Sequence, residues 1–391
     1  MFGRKRITVC CLMLMGLLGL SGCSSPSSDS VKHSVVESEQ EVTDTQSSLV
    51  YKGSMELQYA RNFSVDYYEE GYKLLTIVDG NKILIVPKGK ETPAGLEKDV
   101  IVLHQPVQNL YLVSSSVMDI FDKLDAMDAI RFSGQKEENW YVEGAKEAMK
   151  AGKILYAGKY NQPDYELIVS NGCSLAIENR MITHSPEVIE MLENFDIPVM
   201  IEYSSLESHP LGRVEWIKFF GALVDKEEDA EQLFAEQISI LDEVGKKEQT
   251  DQTVAFFFIT SNGLVQVRQS FDYVPKMIEL AGGQYIFHDL GEKDSNRSTV
   301  SMQIEEFYDG AKDADFLIYN SSIDGGVNSI NELIDKCPVL EDFKAVKNQN
   351  VWCTTNDLYQ QSMSIGYLIR DIHEMLQGES EENMTYLFKL Q

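Results

Sequence analysis

The sequence predicts an α/β protein of two Rossmann-like lobes, each with a central sheet, joined by a long rigid α-helix. Three observations lead there. Short apolar runs alternate with helical segments before residue 210, the same alternation restarts after residue 248, and two helices in tandem lie between. Such alternation implies a largely parallel sheet with helices on its faces.

At 391 residues the chain can bury two cores. A hydrophobic content of 43% and an aromatic content of 10% are those of a folded chain. Thirty-four basic residues stand against 62 acidic ones, which argues against a nucleic-acid partner because phosphate binding needs a basic face.

Residues 1–22 read as a signal peptide, with Arg4, Lys5 and Arg6 ahead of the apolar run Ile7 to Leu20. The closing string Leu20-Ser21-Gly22-Cys23 resembles the bacterial lipobox, which implies cleavage before Cys23 and lipid on that cysteine. A plain secretory signal or an anchor helix is the alternative. Residues 23–50 then form a Ser- and Glu-rich tether spanning roughly 25 to 30 Å as a coil. Of the remaining cysteines, Cys173, Cys337 and Cys353 have no metal-ligand spacing. Buried free thiols are expected, with a Cys337–Cys353 disulfide as the alternative.

The first lobe is placed at 51–210. Leu74 to Val78 and Ile83 to Val86 flank Asp79-Gly80-Asn81, a hairpin signal. Strands follow at Val100 to Leu103, Leu110 to Val113, Arg131 to Ser133, Ile154 to Ala157, Leu167 to Val169 and Val199 to Glu202. Helices fit Val117 to Met127, Glu143 to Lys150 and Pro186 to Asn194, the last with Ser185 as N-cap.

The connector is placed at 211–248. Val214, Trp216, Ile217, Phe219, Phe220, Leu223 and Val224 put apolar groups on nearly every face, which a helix tolerates only when buried. The second helix opens with a capping-box pattern, Asp225 with Glu228. It carries Ala230, Leu233, Phe234, Ile238, Leu241 and Val244 on one stripe and is roughly 30 Å long.

The second lobe is placed at 249–391. Strands are expected at Thr253 to Ile259, Val265 to Arg268, Phe316 to Tyr319 and Val351 to Cys353. Helices are expected at Tyr273 to Ala281, Ile304 to Lys312, Ile330 to Lys336 and Ile365 to Leu376.

Several strings carry a resemblance. "PDYELIVSNG" at 163–172, "FDIPVMIEYSS" at 195–205 and "EWIKFFGALVDKEEDAEQLF" at 215–234 are three of them, and "KMIELAGGQYIF", "DADFLIY" and "FKAVKNQNVW" follow in the second lobe. In order and spacing the chain resembles the helix-linked (class III) periplasmic-binding-protein lipoproteins of ABC importers, the group serving ferric siderophores, haem and cobalamin. The strings around Asn62 to Lys88 and Gln135 to Trp140 are less typical of it.

In open α/β sheets ligands sit at the carboxyl ends of strands. That rule selects Ser114, Ser115, Trp140, Tyr141, Asn171, Ser174, Tyr203 and Ser205 from the first lobe, with Arg180 and His209. It selects Arg268, Tyr273, Asn320, Ser321 and Tyr359 from the second. Aromatic rings, hydroxyls and guanidiniums suit a large flat ligand or a chelate with a negative rim. His104, His184, His209 and His288 lack a local spacing that would force metal binding.

By resemblance, Glu187 and Glu279 match the acidic residues, one on each lobe, that engage arginines of a permease. No phosphate loop, HExxH, GxSxG or GxGxxG motif is present, and no catalytic residue or cofactor is expected. The resemblance implies a monomeric extracytoplasmic receptor, held on the membrane by its lipid. It would deliver an iron chelate, haem or cobalamin to a permease, and through that permease be partnered with its ATPase, without a large hinge closure. Direct metal-ion capture and a surface enzyme acting on a cofactor are the alternatives.

Overall fold

The computed structural model describes residues 49–247, 249–292 and 297–391. The expected signal peptide, Cys23 and the expected tether up to residue 48 lie outside the described residues.

The expected hairpin belongs to a larger sheet than the sequence suggests. Strands β1 (Tyr51–Ser54), β2 (Phe63–Tyr68), β3 (Lys73–Ile77), β4 (Lys82–Val86) and β5 (Ile101–His104) pair in that order. All pairings are antiparallel except β4 with β5. At the β3–β4 tip Asp79 accepts from the Asn81 amide at 2.9 Å, and Gly80 takes a positive φ of 95° that a side chain would resist.

A second sheet is wholly parallel, as alternation with helices requires. Its elements are β6 (Leu110–Leu112), α1 (Ser115–Lys123), β7 (Ile130–Ser133), α2 (Glu143–Lys150), β8 (Leu155–Tyr156), β11 (Leu175–Glu178), α4 (Pro186–Asn194) and β12 (Val199–Ile201). The strand order is β12-β11-β6-β7-β8. Between β8 and β11 come the small hairpin β9 (Gly158–Lys159) and β10 (Gln162–Pro163) and the helix α3 (Tyr165–Ser170). The expected strand at 167–169 is therefore wrong. Asp164 caps the helix by accepting from the Leu167 amide at 3.0 Å, and a three-residue apolar run carries no period to distinguish strand from helix turn.

Helix α5 (Pro210–Val224) is buried along almost its whole length, which accounts for its apolar residues on every face. Helix α6 (Glu227–Gly245) follows, and Asp225 is not its N-cap. Asp225 ends α5 at φ 64°, and its carboxylate, with that of Glu227, pairs instead with the nearly buried Lys73 ammonium. Lys226, one residue later, takes the N-cap position of α6.

The two helices meet closely at Gly221, where an added Cβ would lie 2.7 Å from the Ala230 Cβ and 3.0 Å from the Lys226 carbonyl oxygen. Gly221→Ala gains about 1 kcal/mol of helix propensity but incurs about 1–3 kcal/mol of overpacking against backbone. The urea midpoint of that variant should fall. A rise would show that α5 and α6 separate freely.

In the second lobe α7 (Tyr273–Leu280), α8 (Ile304–Ala311), α9 (Ile330–Lys336), α10 (Lys344–Lys347) and α11 (Ile365–Leu376) surround a seven-stranded sheet. Its strands are β13 (Thr253–Ile259), β14 (Val265–Arg268), β15 (Gln284–Tyr285), β16 (Thr299–Met302), β17 (Phe316–Tyr319), β18 (Val351–Thr354) and β19 (Leu387–Lys389). Only β13, β15, β17 and β18 run parallel. Strands β14, β16 and β19 are antiparallel to their neighbours, so this sheet is mixed. Cys337 and Cys353 are buried free thiols, and Cys173 is half-buried and free.

The connector is not the only tie between the halves. Leu241 on α6 and Ile365 on α11 each touch an apolar cluster of both lobes. The Gly366 amide donates to Gln237 Oε1 at 2.9 Å, fastening α11 to α6. Met363 inserts into the first-lobe core, and its amide donates to the buried carboxylate of Asp119 at 2.8 Å. Ser362 Oγ donates to the Ser116 carbonyl at 2.6 Å, and the Gln360 amide bonds Asn139 O and Tyr141 N at 2.8 and 2.7 Å.

Candidate functional site

A cleft of about 1580 Å³ opens where the carboxyl ends of β6, β11 and β12 face the second lobe. Strand β6 delivers Ser114, Ser115 and Ser116. Strand β11 delivers Asn179 and Arg180, and β12 delivers Glu202, Ser204 and Ser205. His209 and Arg213 come from the start of α5. The opposite wall holds Arg268, Ser270, Tyr273, Tyr285, Ile323 and Tyr359.

Of the residues selected from sequence, Ser114, Ser115, Arg180, Ser205, His209, Arg268, Tyr273 and Tyr359 line this cleft. The others do not. Trp140 is buried in the first-lobe core, its Nε1 donating to Ser133 Oγ at 3.1 Å, because an indole gains more from full burial than from a solvated loop. Tyr141 lies outside the cleft, exposed, with its amide on Gln360. Asn171 and Ser174 stand at the amino end of β11, the wrong edge, because 167–169 is helical; the carboxyl edge presents Asn179 and Arg180 instead. Tyr203 packs against the first-lobe core.

Asn320 and Ser321 are buried behind the wall and act as supports. Asn320 Nδ2 donates to the Tyr359 hydroxyl at 2.7 Å, while Ser321 Oγ donates to the Thr354 carbonyl. The Arg268 guanidinium also donates to the Tyr359 hydroxyl and lies 3.5 Å from Asp272. Burial opposes its charge, yet the Tyr359 and Asp272 oxygens hold it protonated beyond the ordinary arginine range. Two donors on the Tyr359 oxygen occupy its lone pairs and leave its own proton to be donated. Arg268 does stand at the carboxyl end of β14, but that strand is antiparallel to β13, so it reaches the cleft by a geometry the parallel-sheet rule does not describe.

The carboxylates of the cleft are largely committed elsewhere. Glu202 accepts from Ser114 Oγ and the Ser204 amide, both at 2.8 Å. Glu207 accepts from the Arg61 and Asn62 amides and from Trp216 Nε1. Asp272 accepts from the Val274 amide as the N-cap of α7. Exposed apolar side chains, Met181 and Leu206 on one side and Phe271 and Ile323 on the other, rim the opening.

His209 caps α5, its Nδ1 accepting from the Leu211 amide at 3.1 Å, and stacks on Tyr59 with ring centroids 4.5 Å apart. Burial, with help from Lys276, lowers its pKa, which keeps that nitrogen unprotonated and able to accept. His184 and His288 also line the cleft, whereas His104 bonds Thr92 at 3.2 Å away from it. Among the described residues no three His, Cys, Asp or Glu side chains converge on a point that could hold a metal ion. Glu187 is exposed in the first turn of α4, and Glu279 lines the cleft and pairs with Lys276 at 2.8 Å.

Sequence reasoning missed Arg213, Asn179 and the 361–365 segment. Arg213 had a readable signal, a cation in the first turn of a helix that is apolar on nearly every face.

An uncharacterized lipoprotein of Methanocaldococcus jannaschii, MJ0878, is 24% identical, with 96% of this chain and 94% of that protein covered. A possible iron-binding (periplasmic solute-binding) protein of Staphylococcus epidermidis superposes with a TM-score of 0.54 at 17% identity, over 70% of this chain and 99% of that one. The periplasmic heme-binding protein HutB of Vibrio cholerae gives 0.53 at 15%, over 67% and 97%. These two likenesses are of fold. The family model described as periplasmic binding protein matches residues 112–358, beginning after β1–β5 and running through both halves of the cleft. That match spans more than half of the chain, and the protein is a member of the periplasmic binding protein family.

Proposed function

We propose that this protein is an extracytoplasmic receptor of an ABC importer, anchored by lipid on Cys23, that captures an iron chelate, haem or a cobalamin-like compound. The first lobe would be 51–210 and the second 249–391, with 211–248 between them. The carrying observation is the cleft itself, about 1580 Å³ with guanidiniums and phenols on its walls and an apolar rim. That combination suits a large, partly apolar ligand with an oxygen-rich edge. The bonds from Ser362, Met363 and Gln360 to the first lobe support a nearly pre-formed cleft, so affinity would owe little to hinge closure. Glu187 and Glu279 would meet the permease. Reversing the charge of Glu187, which lies outside the cleft, should impair uptake and leave ligand binding intact.

The deciding experiment is thermal unfolding of the chain from Leu49 onward with haem, cobalamins, ferric siderophores and free divalent metals. A ligand at a hundred times its Kd stabilises by about 2.7 kcal/mol, a shift of a few degrees. A shift confined to one chelate class names the cargo. A shift with free metals alone would replace this reading by metal-ion capture, and none at all in folded protein would remove the chelate class.

A further inference from the structure

We infer that the cleft contains an oxyanion seat built on Arg213, and that the captured molecule places a carboxylate or phosphate group there. The inference rests on the solute-capture reading and adds a chemical requirement to it. Three observations carry it.

First, Arg213 is a cation without a counter-charge. Its guanidinium lies 3.6 Å over the Tyr273 ring and its Nη2 donates to the Ser205 carbonyl at 2.7 Å. Its Nε is shielded from solvent and has no hydrogen-bond partner. Among the described residues no carboxylate forms an ion pair with Arg213 or with Arg180 on the same side of the cleft. In a chain with 62 acidic and 34 basic residues, a sheltered arginine left without a carboxylate is placed against the prevailing charge.

Second, the buried acids of the cleft are already engaged. Glu202, Glu207 and Asp272 spend their oxygens on backbone amides, a serine hydroxyl, an indole and Arg268, as described above. Ser270 Oγ, three residues before Tyr273, is also sheltered and without a partner, and it lines the same cleft.

Third, the geometry of Arg213 is fixed. Stacking on Tyr273 from the second lobe and the bond to Ser205 from the first hold the guanidinium plane still. An arginine edge held in this way offers a planar fork that matches the two oxygens of a carboxylate or phosphate. A lysine at that position would offer a point charge without the fork.

The test uses the chain from Leu49 onward, with citrate and inorganic phosphate as probes at constant ionic strength and chloride as reference, read by thermal unfolding and titration calorimetry. Wild-type protein should be stabilised by at least one of the two oxyanions. The apparent affinity should fall roughly 10- to 100-fold in Arg213→Gln, by an intermediate factor in Arg213→Lys, and less in Ser270→Ala. Citrate against phosphate tells which group the seat prefers. If Arg213→Gln does not fold, the comparison of Arg213→Lys with wild type decides. Equal oxyanion responses in wild type and the Arg213 variants, or no response in folded wild type, would overturn the inference. An Arg213-dependent oxyanion response alongside a blank chelate panel would leave the seat standing and discard the chelate cargo.

Discussion

Glu215→Ala should destabilise the protein by about 3–5 kcal/mol, the cost of removing one member of a buried charged network. Glu215 sits on α5 with its side chain wholly buried. Its carboxylate accepts from the amides of Gln58, Tyr59 and Ala60 at 2.8 to 2.9 Å, and Lys218 Nζ lies 3.4 Å away. Truncation leaves three amides without their acceptor and weakens the neutralisation of Lys218, itself nearly buried. Residues 58–60 thereby lose their bonds to α5, while Arg61 and Asn62 keep theirs to Glu207. Glu215→Gln keeps one acceptor oxygen and should fall between alanine and wild type. Urea unfolding measures both. A Glu215→Ala variant within 1 kcal/mol of wild type would show that water or a shifted side chain replaces the carboxylate.

Glu215, Arg213 and Lys218 also show what could have been read earlier. A helix apolar on every face must be buried, so any charge it carries needs a partner within the fold. The sequence therefore announced two buried charges and one half-buried one on α5, though not their partners, which lie in 58–60, in α6 and across the cleft. Helices and strands with clear boundary chemistry, such as Pro186–Asn194 and Thr253–Ile259, were legible to the residue.

The failures share a cause. Leu167 to Val169 is too short to have a period, and reading it as a strand moved two site candidates to the wrong edge of the sheet. Trp140 follows a strand just as a ligand residue would, and nothing local distinguishes a ring that folds back on Ser133. Arg268, Tyr273 and Tyr359 were found because they follow unambiguous apolar runs. The bonds of residues 360–363 to α1 and its surroundings, and the antiparallel strands of the second sheet, depend on contacts distant in sequence. No local pattern encodes them.

Between pH 5 and pH 8 stability should fall as pH rises, opposite to the usual behaviour of a protein held by ionised carboxylates. Glu178 is fully buried at the end of β11, and neither of its oxygens has a partner; burial pushes its pKa from 4.5 up to about 8. Burial likewise raises Asp119 and Asp371 from 3.8 to about 6, against the opposing bonds from Met363 and from Tyr386 and Thr385. A carboxyl whose folded pKa exceeds its unfolded one binds its proton more tightly when folded. Its contribution is complete below the unfolded value and is lost as pH climbs through the folded value. At about 1.4 kcal/mol per pKa unit, Glu178 alone represents up to about 5 kcal/mol and each aspartate up to about 3. His209 works the other way, since its lowered pKa means that its cap weakens as pH falls below the ordinary histidine range, but one exposed-edge cap is worth only about 1 kcal/mol. Urea unfolding at pH 5, 6, 7 and 8 should therefore show a declining free energy. Glu178→Gln, uncharged at every pH, should flatten the upper part of that decline and be the more stable protein at pH 8. An unchanged slope in the variant would mean that Glu178 finds a proton-independent partner in solution, and would place the pH dependence on Asp119 at the junction with Met363 and on Asp371 beneath the C-terminal strand.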